Sequence, residues 1–545
     1  MAENRDMNRF DSMAAPNKFV SKLLSPLTIG VLGCLICAFY SVTAGESINW
    51  DLQNYHYYTG FALYKGVEMQ HIIPAQQQTF INPTISLPSY LLIAHLPPMF
   101  VGFIFGVLQG LNFLLIYLFS REIISNIYSA SIKPTMRALI ALSIAVIGIT
   151  APMFVSEIGT TIGDNVTSIF VLAALLIVFK KPPNRTWLYP IIGGLLIGAA
   201  TALKLTNAVF VVALIGCGWW YKNASLKRSV TTLVVFAVGI LFGFLLFQGY
   251  WSWHLLKEYQ NPLFPYFNAL FKSPYYDPIN IADTRFIPHS IPDALSYPFQ
   301  WAIGLHPSSE LPFRDLRFAV LSVLILVAVP IAIARIVRRQ TDPVYGVKFN
   351  VMFFFLISYF IWIFISGIQR YIIVLELLSG LVIFLLIMTV IRTLRHSVFV
   401  FALVAVVLVA SSSPPDWGRT CWSPTWYDIK TPVELTASDE MFVMLGNDPL
   451  SYVIPFFPSD ARFVRIQGNF RPSQQTKLGE LIYQTIRNHT GAIYSFSTEE
   501  LSDNQIQLLA KYGLAVAAEP YIEFSSKAHS KLLVCPLCRI STGNG

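Results

Sequence analysis

Residues 49–82 read NWDLQNYHYYTGFALYKGVEMQHIIPAQQQTFIN, a polar, aromatic-dense stretch that directly follows the first hydrophobic run at 26–45. Asp51 stands within a few residues of Asn54, Tyr55, His56, Tyr57 and Tyr58. A linker between two membrane helices has no need of that company. A site that grips a sugar and removes a proton from a hydroxyl does: the carboxylate takes the proton, while amides and rings meet hydroxyls and sugar faces. Between Leu52 and Gly66, the residues Tyr55, Tyr58, Ala62 and Leu63 fall at helical spacing, which predicts a helix lying in the interface. The Pro-flanked stretch 85–97 reads as a second interfacial helix or the start of the next span.

The rest of the chain sets this stretch at a membrane. Of 545 residues, 54% are hydrophobic and 12% charged, and the mean hydropathy is +0.56. This predicts a polytopic α-helical membrane protein. At roughly 20 apolar residues per span, about eleven runs meet or approach the criterion: 26–45, 96–119, 137–156, 165–179, 188–205, 207–221, 229–249, 318–337, 349–367, 371–391 and 397–413. Half of the 38 Lys and Arg fall on alternate connections. They are Arg5, Arg9, Lys18 and Lys22, then Arg121, Lys133 and Arg137, and the clusters Lys180–Arg185, Lys222–Arg228, Arg335–Lys348 and Arg392–Arg395. The positive-inside rule then makes residues 1–25 a cytoplasmic tail and puts loops 46–95 and 250–317 outside. An odd number of spans puts the C-terminus outside as well. The net charge of +8 follows from these anchors beside anionic lipid, so no nucleic-acid partner is implied. Residues 1–25 are too polar for a signal peptide, and the first run is expected to be retained.

Residues 414–545 read as a small extracytoplasmic α/β domain with room for its own core. MFVML, ARFVRI, GAIYSFS, GLAVAA and KLLVC predict strands, and 475–489 and 500–512 predict helices. Cys34, Cys37 and Cys217 lie in spans as packing residues. Cys421, Cys535 and Cys538 lie where a disulfide is permitted. CPLC alone is weak evidence for a metal, and His56, His254, His289 and His306 lack ligand spacing, so no metal site is expected.

Other chemistry-bearing residues gather at the same face. The turn SEIGTTIGDN carries Glu157 and Asp164, either a solvated turn in which Asp164 caps the next span or a second acid facing Asp51; the two readings are compatible. Lys204, in ATALKLTN, is a snorkelling lysine or a contact for a phosphate at headgroup depth. Arg370 and Tyr371 occupy the short turn SGIQRYIIVLE, with Glu376 inside the apolar run that follows. A lone charge there costs roughly 2.5–3.5 kcal/mol, so Glu376 is expected to have a partner. Either it forms a structural pair with Arg370, or it holds Arg370 so that the guanidinium fork binds a phosphate. In the long Pro- and aromatic-rich loop 250–317, Asp283, Arg285, His289, His306, Arg314, Asp315 and Arg317 are surface ion pairs or substrate contacts. Asp51 itself reads as a helix N-cap or as a general base kept ionised at a helix end. The company of Asn54, Tyr55, His56 and Tyr58 favours the base.

Taken together, these features resemble the GT-C superfamily of polytopic glycosyltransferases that use polyprenyl-phosphate sugars. More narrowly, DxxNYHxY (51–58), PAxxQTFxNP (74–83) and NPLFPYFN (261–268) resemble a group of bacterial membrane proteins classed with glycosyltransferases. The layout covers roughly 26–413, and the tail from 414 lies outside the shared core. The resemblance implies a bacterial inner-membrane enzyme that moves a sugar from a polyprenyl-phosphate donor to a glycan, lipid or protein acceptor, by inverting displacement and without a cofactor. Asp51 matches the first essential acid, Glu157 and Asp164 the second acidic turn, and Lys204 or Arg370 the phosphate contacts. Asn54, Tyr55, His56, Tyr58, Asn82, Arg285, Tyr371 and Glu376 are then expected around the substrate. Two departures stand out: the first loop has no DxD-like pair, since DLQN supplies one acid, and the soluble parts show no sugar-nucleotide site. Competing classes predict other things. An O-antigen polymerase or ligase would rely on Arg285, Arg314 and Arg317. A lipid-linked glycan transporter would place polar residues at mid-membrane in two related halves. A membrane-anchored sensor would carry its function in the tail.

Overall fold

The computed structural model describes residues 18–128, 132–180, 187–218, 225–338, 345–391, 393–517 and 520–540. Of the expected cytoplasmic anchors, Arg5, Arg9, Lys181, Arg185, Lys222, Arg339 and Arg392 lie outside these residues.

Every predicted hydrophobic run falls on a helix. The first loop follows α1 (Pro26–Ala44) and holds α2 (Tyr57–Lys65) and α3 (Ser86–His95). Then come α4 (Pro98–Gln109), α5 (Leu111–Tyr128), α6 (Pro134–Ile149), α7 (Asp164–Phe179), α8 (Leu188–Leu203), α9 (Ala208–Gly216) and α10 (Leu226–Tyr259). The long loop contributes α11 (Ile291–Ala302), followed by α12 (Arg317–Val337), α13 (Tyr345–Ile365), α14 (Ile373–Val390) and α15 (Leu394–Ser411). Among the described residues, seven stretches are long and apolar enough to cross a membrane: 26–44, 98–128, 226–259, 317–337, 346–365, 369–390 and 394–411. Helices α6, α7, α8 and the segment 205–216 are apolar but shorter.

The start of α1 shows the local logic: Ser25 accepts from the Thr28 amide at 3.2 Å, and Pro26 fills the first helical position. Helix α14 forms the centre of the bundle, with almost its whole length buried. Helices α10 and α12 instead turn Val, Leu and Phe side chains outward, as a lipid-facing surface requires. Helices α8 and α10 meet through Gly194 and Gly198 against Gly239 and Gly243. A methyl group on Gly194 would lie 2.9 Å from the Ile240 nitrogen, so the backbones are in direct contact.

The tail forms a six-stranded sheet of order β4-β3-β5-β8-β6, with β7 also on β8. The strands are β3 (Met441–Met444), β4 (Arg462–Arg465), β5 (Ile493–Ser497), β6 (Leu514–Val516), β7 (Ile522–Phe524) and β8 (Leu532–Arg539). Strand β3 runs parallel to β4 and β5, while β8 is antiparallel to β5, β6 and β7. The predicted strands and helices are all present, the helices being α16 (Lys477–Asn488) and α17 (Asp503–Lys511). The pairing of β1 (Glu46–Ser47) with β2 (Arg419–Thr420) and the strand β7 were not anticipated.

The sheet's core is shared with the first long loop, residues 46–95. On one face, Phe442, Met444, Phe463 and Phe496 pack with Leu52, Tyr55, Tyr57 and Tyr58. On the other, Met441, Val443 and Val464 pack with Ile72, Ile73, Phe80 and Trp251 and with Leu478, Ile482 and Ile486 of α16. This follows from strand alternation, which sends neighbours to opposite faces. Ile72 also pairs alongside Val464 as a bridge, giving its amide to the Phe463 carbonyl at 2.9 Å and accepting from the Arg465 amide at 3.1 Å. At the end of α1, the buried Glu46 carboxylate meets Lys527 at 2.7 Å. No disulfide joins any of the six cysteines, all of which lie among the described residues.

Candidate active site

Asp51 is not the helix cap. Asn49 takes that role, its Oδ1 accepting from the Leu52 amide at 2.9 Å. Asp51 already has helical backbone angles and makes no capping bond. Its carboxylate turns instead to Arg370, whose Nη1 donates to Oδ2 at 2.6 Å. Arg370 is set by the 3₁₀ turn Gln369–Ile372 that leads into α14. Burial by itself would raise the Asp51 carboxyl, but the opposing guanidinium outweighs it and holds the group below the usual carboxylate range.

The expected Arg370–Glu376 pair does not form. Glu376 lies further along α14, fully buried, and accepts from the amides of Met153 and Phe154 at 3.2 and 3.4 Å and from Gln369 Nε2 at 3.4 Å. It caps the exposed amides of the short helix Pro152–Glu157, which favour a negative charge. Glu376 is therefore a support beneath the acidic turn and does not reach Arg370.

In that turn, Asp164 opens α7 and pairs with Lys204 at 2.5 Å, and Lys204 also donates to the Ile162 carbonyl at 3.4 Å. Glu157 is fully buried. Its Oε2 accepts from the Asn165 amide at 3.3 Å, and its Oε1 has no partner among the described residues. Burial first, and the Asp164 charge second, push the Glu157 carboxyl well above its usual range. Gln109 pins the turn by accepting from the Gly159 amide at 2.6 Å and donating to the Thr160 carbonyl at 3.1 Å. Tyr371 lies between the two cations, with Lys204 Nζ 5.1 Å and the Arg370 guanidinium 5.4 Å from its ring centre.

Asp51, Glu157, Asp164, Lys204, Arg370 and Tyr371 thus meet at one end of the bundle, with Tyr55 and His56 beside them. The Tyr55 and His56 rings are 4.2 Å apart, and burial together with the Asp51 charge raises the Tyr55 hydroxyl well above its ordinary value. His56 Nδ1 is 3.1 Å from Ser86 Oγ, while its Nε2 is buried without a partner among the described residues. Asn54 donates to the Ala75 carbonyl and to Gln78 Oε1, both at 3.3 Å, and its Oδ1 has no partner among the described residues.

Three candidates are placed elsewhere. Tyr58 packs edge-on to His71 under the sheet. Asn82 uses its amide to fasten the loop to the bundle, donating to the carbonyls of Ala202 and Phe247 at 3.0 Å each and accepting from the Thr84 amide. Arg285 is 68% exposed and forks onto Asp283 at 2.6 Å, at the rim. Arg314 donates to the Ala302 carbonyl, and Arg317 is fully buried against Asp315 at 3.0 Å and the Ile147 carbonyl at 3.0 Å. Both are occupied in holding the bundle. Among the described residues, no group of three or more His, Cys, Asp or Glu is arranged to hold a metal ion.

The connector after α15 contributes residues that the sequence reading passed over. Trp417 donates to Ser156 Oγ at 3.0 Å and lies 5.7 Å from the Arg370 guanidinium. Arg419 donates to the carbonyls of Gly45 at 3.1 Å, Ser156 at 3.3 Å and Ile158. Their one signal in the sequence is a Trp and an Arg in the short polar run SSSPPDWGRT directly after a span.

His56 gives the site a pH-dependent stability. Burial pushes its pKa down to about 4 from 6.5, so between those values the unfolded chain binds a proton that the folded chain refuses. The contribution is fully present above pH 6.5 and is lost as the pH falls towards about 4. His71, also brought down to about 4 by burial, acts in the same sense. His56→Gln is expected to flatten the fall in thermal stability of the detergent-solubilised chain over that window, by up to about 3 kcal/mol. An unchanged slope would contradict a neutral buried imidazole.

The model of Glycosyltransferase family 87 matches residues 80–358, just over half of the chain. That segment holds Glu157, Asp164 and Lys204 and leaves Asp51, Arg370 and the tail outside it. No curated protein matches the chain. Among solved structures, ArnT from Cupriavidus metallidurans, crystallised with undecaprenyl phosphate, aligns at 12% identity and a TM-score of 0.45, over 94% of this chain and 97% of that one. A likeness of that degree carries no residue role across. The chain belongs to glycosyltransferase family 87 and is a multi-pass membrane glycosyltransferase.

Proposed function

We propose that the enzyme moves a sugar from a polyprenyl-phosphate donor to a hydroxyl of a glycan, lipid or protein acceptor at the outer face of a bacterial inner membrane. The observation that carries this reading is the pair of facing ion pairs, Asp51–Arg370 and Asp164–Lys204, joined through Tyr371. Two cations at one end of the bundle suit a lipid phosphate, and the adjoining carboxylate suits proton removal. The basic anchors Lys22, Arg121, Arg137, Lys227, Arg228 and Arg335 sit at the opposite helix ends, which supports reading the site end as the outer one.

The donor is a phosphodiester with one negative charge, and the departing lipid phosphate carries more. Arg370 and Lys204 stabilise that growing charge. As the acceptor oxygen bonds to the anomeric carbon, the bond from that carbon to the phosphate oxygen breaks and its electron pair leaves with the phosphate. The acceptor proton passes to Asp51. A guanidinium drawn onto phosphate loosens its hold on Asp51, so donor binding raises the proton affinity of the carboxylate toward that of a useful base. Glu157, whose carboxyl burial pushes upward, and Asp164 line the site beside Lys204. The polymerase or ligase reading places its essential arginines at 285, 314 and 317; of these Arg317 is buried in structural bonds and Arg314 is engaged with the Ala302 carbonyl.

The test is incorporation of labelled sugar in proteoliposomes from a panel of polyprenyl-phosphate sugars, with nucleotide sugars as the other arm. Transfer from a polyprenyl donor supports the reading. Direct transfer from a nucleotide sugar, with none from the lipid panel, would overturn it.

A further inference from the structure

Asp51 leads directly into an unusual turn. Residues Leu52–His56 form a π-helical turn before α2 continues as an ordinary helix, and the Tyr57 amide reaches back to the Leu52 carbonyl. Such turns are rare, occur mostly as single insertions in α-helices, and accompany side chains that enter the hydrogen-bond ladder. Here that side chain comes from the far end of the chain. Ser451 opens the 3₁₀ turn Ser451–Phe456 between β3 and β4 and is fully buried. Its hydroxyl donates to the Asn54 carbonyl and lies 3.4 Å from the Gln53 carbonyl, inside the π turn.

We propose that Ser451 is a positioning residue for Asp51: its hydroxyl holds the π turn open and so aims the carboxylate at Arg370 and at the acceptor hydroxyl. The claim rests on the reading of Asp51 as the base. It makes the domain beyond residue 414 a working part of the catalytic unit, although that domain lies outside the matched family segment. Closing the turn to an α pattern removes one residue from the helical phase. At 3.6 residues per turn, that swings the preceding residue by about 100° around the helix axis, away from Arg370.

Other tail contacts fix the loop as a whole at a distance from Asp51. Arg465 donates to the Pro74 carbonyl at 2.9 Å and to the Gly446 carbonyl at 2.7 Å. Gln76 donates to the Asn447 carbonyl at 3.2 Å and accepts from the Asn469 amide at 2.6 Å. These bonds bring the tail to the loop, and Ser451 then acts on the turn beside the carboxylate.

The experiment compares Ser451→Ala, Ser451→Thr and Ser495→Ala in the full-length protein in lipid nanodiscs. Ser495 is a buried hydroxyl of β5 bonded to the Cys535 carbonyl of β8 rather than to the π turn, and reports general damage to the sheet. The readouts are amide exchange over residues 52–59, binding of undecaprenyl phosphate as a probe of the phosphate site, and turnover with the donor selected by the panel. Ser451→Ala is expected to speed exchange in 52–59 and to lower kcat roughly 10- to 100-fold, the effect of a small misplacement of a reacting group. Donor KM and probe binding stay at the wild-type level, Ser451→Thr restores kcat, and Ser495→Ala leaves it unchanged. Wild-type kcat in Ser451→Ala, or an equal loss in Ser495→Ala, would overturn the proposal. Asp51→Asn run alongside separates the two claims. Full turnover in that variant removes the base itself, whereas an inactive Asp51→Asn beside a fully active Ser451→Ala removes only the positioning role.

Discussion

Asp51→Asn leaves the protein folded in the membrane and lowers sugar transfer by roughly 10²- to 10⁴-fold, the usual contribution of a positioned general base. The amide has the same shape as the carboxylate and still accepts from Arg370, so the 2.6 Å contact and the π turn behind it persist. What disappears is the proton acceptor. The loss therefore falls on kcat, with donor affinity retained. The wild-type pH profiles carry a second signature. In the donor-free enzyme Arg370 holds the Asp51 carboxyl below its usual range, so the acidic limb of kcat/KM lies at low pH. Once donor phosphate shares the guanidinium, the limb of kcat moves to higher pH, because kcat reports the bound enzyme. Steady-state kinetics at saturating and limiting donor measure both. Coincident limbs, or an active Asp51→Asn, contradict the assignment.

Arg370→Ala is expected to damage both stability and donor use. Removing the guanidinium strands Asp51, 13% exposed, with its charge unmatched. Breaking such a pair costs about 3 kcal/mol, the lower end for buried pairs because both groups retain some contact with water. Losing a charge-assisted phosphate contact removes about 1.5–3 kcal/mol of binding, roughly 10- to 100-fold in donor KM. Arg370→Lys keeps the charge without the planar fork and falls between. The double variant Asp51→Asn with Arg370→Ala regains stability relative to Arg370→Ala alone, since no lone carboxylate remains. Thermal melts and donor titrations of the three variants check this. An Arg370→Ala enzyme with wild-type donor KM would place the phosphate elsewhere.

Much of the architecture was readable from residues alone, for physical reasons. The apolar runs announce the helices because lipid tolerates little else. The alternation in MFVML and ARFVRI announces strands because the two faces of β3 and β4 meet different apolar neighbours. The gathering of Asp51, Glu157, Asp164, Lys204 and Arg370 at one end follows from counting spans. What eluded the sequence lies in long-range pairing and in backbone partners. Asp51 and Arg370 are 319 positions apart, so a nearby acid, Glu376, was the natural partner to assign; it is in fact satisfied by two amides that no pattern displays. Asn82 looked like a sugar ligand because its carbonyl partners on α8 and α10 are invisible in a string of letters. The π turn has nearly the period of an ordinary helix, and Ser451 sits in the plain run DPLSYVIP. The tail's packing on the first loop was hidden for a related reason: its strands are apolar on both faces, and only the fold shows what covers the second one.

The most direct test of the account is a structure of the full-length protein in lipid nanodiscs with bound undecaprenyl phosphate. The account predicts the phosphate on Arg370 and Lys204 beside Tyr371, with the Asp51 carboxylate released from the guanidinium and facing the open site. A phosphate bound elsewhere, with the Asp51–Arg370 and Asp164–Lys204 pairs intact, would contradict it.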